Sequence, residues 1–260
     1  MAVLVGAESA GAYAIALLPT TILRSIGGIV QNNLAPTTSH LISEGDFERA
    51  RKLLVSGAFW NGAIISVPAG LAIGLSRDLL SLWFGPEHGA IAPLAATLLA
   101  FVGINSCAGP MFIASVARNR VRVPAAATLL SSLLGIGLAA FLASIPSVGM
   151  TGIAIATSLA ITIKHTIFTP IYTRRLIGGR LRSYYAPIAR VAAIGLSCAV
   201  AAQGAGVLIG AHSLMRLVAS LALCLPVVAG ALIAFAPREE RQRAFTLAAR
   251  VLARVPSVSR

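Results

Sequence analysis

Long apolar runs, separated by short clusters of Arg, Lys, Gly and Pro, set the pattern of this chain. Crossing a bilayer takes ~20 residues of helix. Seven runs reach that length, near 11–42, 54–76, 89–116, 123–145, 149–173, 186–210 and 214–236. They are too long for barrel strands and lack period-2 alternation, so they predict helices. The fold class expected is all-α, a polytopic membrane helix bundle. The first run would reach ~48 Å against a hydrocarbon core of ~30 Å, so it must tilt or project beyond the membrane. Gly45 can close it in a left-handed cap. Asp46 then predicts the N-cap of a short amphipathic helix, with Glu48 and Lys52 as an i,i+4 pair.

Composition agrees with the pattern. Hydrophobic residues make up 57% of the 260, charged residues 11%, and mean hydropathy is +0.85, whereas a soluble domain carries roughly 25% charged residues. The net charge of +13 would suggest nucleic acid in a soluble protein. Its placement argues otherwise. Arg49, Arg51 and Lys52 follow the first span; Arg118, Arg120 and Arg122 the third; Arg174, Arg175, Arg180 and Arg182 the fifth. Six more arginines lie in the tail, 237–260, which can form a basic amphipathic helix with Phe245, Ala248, Leu252 and Val255 on one face, suited to anionic lipid. Arg77 is the one cation in the opposite loops. By the positive-inside rule the N-terminus lies outside and the C-terminus in the cytoplasm. Met1–Ala10 carries Glu8 and no basic residue, so no cleavable signal peptide is evident. An outside start then implies a preceding segment. Trp83 and Phe84 read as an interfacial anchor on the outer side.

Polar residues inside the spans are few. In the first helix Thr20, Arg24, Gly27, Gln31 and Thr38 share one face, with Asn32 and Asn33 adding polarity toward the inner end. Arg24 stands near the middle of that helix. A cation there costs at least ~2.5–3.5 kcal/mol, so it faces a water-filled cavity, a partner, or snorkels out. No Asp or Glu lies within the seven spans to pair with it. Lys164 and His165 lie in the fifth span, with Thr162 and Thr169 on the face of His165. Lys164 either joins the same polar lining or snorkels to the inner interface. Arg190 and Arg216, near span ends, suit snorkelling. Asn61, Asn105 and Gln203 read as contacts between helices. The GxxxG spacings Gly70–Gly74 and Gly206–Gly210 allow close helix packing.

Catalytic patterns are lacking. Cys107, Cys198 and Cys224 are far apart inside apolar runs and read as small hydrophobes. No His/Cys metal spacing, P-loop, GxGxxG or Ser/His/acid set with a membrane carboxylate occurs. The residues point to binding and moving something, with no enzyme activity, metal or cofactor expected.

The stretch Gly11–Leu54, GAYAIALLPTTILRSIGGIVQNNLAPTTSHLISEGDFERARKLL, resembles the helix and loop that open the second lobe of oligosaccharide flippases. These belong to the multidrug/oligosaccharidyl-lipid/polysaccharide exporter superfamily. Val67, Pro68 and Gly70, the outer LLSLWFGPEH, ARNRVRVP, and GMTGIAIATSLA at Gly149–Ala160 continue the pattern over residues 1–190. The resemblance implies a fourteen-helix transporter with two lobes, of which these seven spans are the last seven. It implies alternating access that carries a lipid-linked sugar across the cytoplasmic membrane for cell-surface polysaccharide. Arg24 then matches a basic residue holding the lipid diphosphate, with Lys164 and His165 as further candidates and Thr20, Gln31 and Asn32 as hydrogen-bonding contacts for the sugars. The partners implied are a lipid-diphosphate-linked oligosaccharide, membrane lipids, and a missing N-terminal lobe or second subunit, with no nucleic acid. Three other readings fit parts of the pattern. A cation-coupled multidrug antiporter lobe would need a membrane carboxylate. A membrane enzyme would need a large outer loop. A non-transporting fragment needs neither.

Overall fold

The computed structural model describes residues 7–145, 148–209 and 214–235. Among them there is no strand. The helices are α1 (Ala7–Ser43), α2 (Phe47–Gly74), α3 (Ser76–Phe84), α4 (Ala92–Ala100), α5 (Val102–Ser106), α6 (Ala108–Ala117), α7 (Arg122–Ala143), α8 (Gly149–Ile163), α9 (Thr169–Ile177), α10 (Leu181–Ile209) and α11 (Leu214–Phe235). A 3-10 turn, Pro86–Ile91, precedes α4, and a π turn, Lys164–Phe168, joins α8 to α9. Seven spans are long and apolar enough to cross a membrane, beginning with Ser9–Ser43 and ending with Val218–Phe235. The basic tail, and the amphipathic helix expected in it, lie outside the described residues.

Local chemistry explains the first connection. Gly45 sits at φ 79°, the left-handed conformation that costs glycine least. Asp46 Oδ1 accepts from the Arg49 amide at 3.0 Å, and Lys52 pairs with Glu48 at 3.0 Å. The helix begun at Phe47 is not short, however. No Gly or Pro separates Lys52 from the span that begins at Leu54, so the amphipathic turns run straight into it as α2.

The third span, expected over 89–116 with Pro110 inside it as a place where the helix can bend, is interrupted twice. It bends at Phe101 and again at Cys107. Pro110 has no N–H to offer the Ser106 carbonyl four residues back. Asn61 of α2 fills the vacancy, its Nδ2 donating to Ser106 O at 2.7 Å. Asn61 thus joins two helices, as expected.

Packing centres on α2, whose most apolar window is 61% buried. Its closest neighbour is α10. A Cβ at Gly70 would meet Gly195 O and Cys198 Cβ; one at Gly74 would meet Ala202 Cβ and Ala199 O. This GxxxG therefore works as a notch for another backbone, while Gly210 of the second one lies outside the described residues. Ser66 Oγ crosses the same seam and donates to Val191 O at 3.0 Å. Phe59, Met111, Tyr184 and Ile194 fill the adjoining core. Cys107, Cys198 and Cys224 are free and buried. At the periphery, the window of α7 is only 11% buried, since this helix leans chiefly on α8.

The basic loops gather at one end. Arg118 lies over the Phe47 ring at 5.3 Å, Tyr172 Oη donates to Arg120 O at 3.0 Å, and Gly179 packs on the Arg51 side chain. At the other end Trp83 stacks on Phe84 and remains 54% exposed, as an interfacial anchor requires.

Candidate functional site

A cavity of about 500 Å³ opens between α1, the broken third span, α7 and the α8–π–α9 span. Its size falls in the range of ~300–1,000 Å³ usual for ligand sites. Pro124, Ser115 and Tyr172 line it near the basic end, and Arg24, Val102 and Ile161 line it about half-way along the spans.

Arg24, Gln31, Lys164 and His165 all reach this cavity. Two stretches distant in sequence thereby meet on one wall. Among the described residues no carboxylate pairs with Arg24 or Lys164, and none lines the cavity. The π turn places Lys164 and His165 here. One extra residue in the turn rotates the helix, and Thr169 N bonds Lys164 O, ahead of Pro170. The lining of α1 is thus narrower than its polar face. Thr20 and Thr38 share that face but are buried away from the cavity, each with Oγ1 unpartnered. Asn32 is exposed and does not line it either, because it comes after Gln31 by about 100° around the helix. Gln203 is likewise exposed on α10.

Other residues join the site that the reading of single polar positions passed over. Asn105 is 8% exposed, lines the cavity, and keeps its Oδ1 buried without a partner; it is more than a helix contact. Gly109 makes room for Gln31, whose amide a Cβ at 109 would overlap. Phe168 and Tyr172 stack at 5.2 Å and 14° on the wall. Thr128, Ser131 and Ser132 line it from α7. Their i, i+3, i+4 spacing on an apolar helix was the available signal.

Fold and cavity together define a multi-pass helical membrane protein whose bundle holds a cationic, carboxylate-free chamber. Comparison with known proteins agrees with the first part. The chain is 31% identical over 175 residues to the uncharacterized membrane protein EpsK of Bacillus subtilis (strain 168), a match that takes in 67% of this chain and 35% of that protein. The chain therefore spans about a third of that relative's length. No family model matches the sequence, and no solved structure matches it.

Proposed function

We propose that the protein is one lobe of a flippase that moves a lipid-diphosphate-linked oligosaccharide across the cytoplasmic membrane for cell-surface polysaccharide. The observation that carries this reading is the meeting of Arg24, Lys164 and Gln31 in one chamber without an acidic partner. Two cations in a low-dielectric wall attract a diphosphate, and the guanidinium can hold its oxygens in bidentate fashion. Irregular turns in two spans at the level of the chamber fit a transport site, where broken helices line the ligand. The likeness to a curated membrane protein supports the membrane setting.

A second lobe, from a preceding segment or a second subunit, would close the chamber between α1 and α7. We also infer that the basic end is cytoplasmic, with the C-terminus inside. A reporter fused at Gly178 is then active only in its cytoplasmic form and one fused at His88 only in its external form; the opposite result overturns the orientation.

The functional test is genetic. In cells whose surface polysaccharide depends on this protein, Arg24→Ala should abolish the polymer at normal protein levels, while Arg120→Ala in the basic loop should leave it intact. Normal polymer from the Arg24 variant would remove the assignment. A cation-coupled antiporter is the weaker reading, because no carboxylate lines the chamber to bind the coupling ion.

A further inference from the structure

Helix α7 has an unusual division of labour. After Arg122 its side chains are apolar up to Ala143 except Thr128, Ser131 and Ser132, and all three line the chamber. The rest of the helix exposes large aliphatic groups, with Leu130 at 60% and Leu134 at 63%, as a lipid-facing surface would.

The hydroxyls differ from the groups across the chamber in the hydrogen bonds they have left to give. A hydroxyl has one proton and two acceptor lone pairs. Thr128 Oγ1 donates to Pro124 O at 2.8 Å, and Ser131 Oγ donates to Thr128 O at 2.9 Å. On the adjoining floor Ser106 Oγ donates to Val102 O at 2.8 Å. The protons of Thr128, Ser131 and Ser106 are committed to backbone carbonyls of their own helices, so these oxygens face the chamber as acceptors, and of the three α7 hydroxyls Ser132 alone keeps its proton to give. Asn105 Oδ1, buried and unpartnered on the same floor, is another acceptor. The α1 side differs in kind, because the guanidinium of Arg24 offers donors alone, while the Gln31 amide offers both donors and an acceptor.

Such a chamber sorts ligand groups by chemistry. Phosphate oxygens, themselves acceptors, are drawn far more strongly to Arg24 and Lys164 than to the single free hydroxyl proton of α7, that of Ser132. An ammonium group would suit the acceptors but is repelled by the two cations. Neutral hydroxyls are left as the groups that satisfy this wall. We propose that the Thr128–Ser131–Ser132 face, with Asn105, is the sugar-reading wall of the chamber. The inference rests on the diphosphate reading above and adds to it the side on which the first sugars lie, away from α1 and against α7. A hydrocarbon chain gains nothing there and remains with the lipid.

The test uses the full chain purified in nanodiscs and four probes. They are a short-chain prenyl diphosphate and the same molecule carrying a glucosyl, galactosyl or N-acetylglucosaminyl unit. With several net hydrogen bonds at stake, at least one glycosylated probe should bind wild type about tenfold more tightly than the bare diphosphate. In the variant Thr128→Val, Ser131→Ala, Ser132→Ala that advantage should vanish. Affinity for the bare diphosphate should stay unchanged, which also shows that the variant is folded. Arg24→Gln should weaken all four probes and keep the sugar advantage. An advantage that survives in the triple variant, or is absent from wild type, overturns the sugar wall while leaving the diphosphate site standing. Failure of every probe to bind wild type overturns both.

Discussion

The seam between α2 and α10 and the opening between α1 and α7 draw on the same small residues, yet they serve opposite ends. In the seam Gly70 lies directly beneath Gly195 O, and Ser66 sends its proton across to Val191 O. On α7 Gly137 has nothing within 4 Å of where a Cβ would stand, and Ser131 turns its proton back to Thr128 O in its own helix. A glycine or serine in these helices therefore has no fixed meaning. Where a backbone stands opposite, it permits close approach and van der Waals packing, which hold helices together in lipid. Where open space stands opposite, a hydroxyl decorates a wall and a glycine has no packing role.

The larger effect belongs to the seam. Gly70→Val would drive a branched side chain into the Gly195 carbonyl, which a backbone atom cannot yield to cheaply. The destabilisation expected is about 3 kcal/mol, the upper end for overpacking, read as a lowered unfolding midpoint in detergent. A wild-type midpoint would mean that α2 and α10 do not meet in this way. The smaller effect belongs to α7. Gly137→Ala should change stability by less than about 1 kcal/mol, in the stabilising direction that helix propensity favours. A marked loss at this position would show that something packs on α7 within the chain itself.

How far the sequence foretold this arrangement depended on the range of the interaction involved. Length and hydropathy were enough for seven helical spans, and Gly45–Asp46 announced the first turn, because those signals are local. The short helix after Asp46 was misjudged, since an amphipathic turn and the start of a span differ only in whether a breaker interrupts the residues beyond Lys52. Pro110 marked one place where the third span can bend, but the break at Phe101 and the donation from Asn61, on another helix, to Ser106 O were not legible, because they depend on neighbours far off in sequence. Within the site, Arg24 and Gln31 could be read from helical period alone. Thr20 shared their face and yet is buried, because the period gives a direction and not the neighbour that covers it. Lys164 and His165 needed the π turn to aim them; Pro170 marked an irregularity nearby, but not the kind of turn that precedes it. Asn105 and Gly109 entered through the third span's bends and were legible only once the helices were assembled.

The central claim is that position 24 faces water that a diphosphate can displace. The native cysteines are free and buried, so an introduced thiol can be followed against them. Arg24→Cys should be labelled by a small membrane-impermeant thiol reagent added at the cytoplasmic face, and prenyl diphosphate at a concentration above the weakened affinity of this variant should slow that labelling several-fold. If the introduced thiol resists the water-soluble reagent but reacts with a lipid-soluble one, the residue points into hydrocarbon, and the chamber is not where the diphosphate is held.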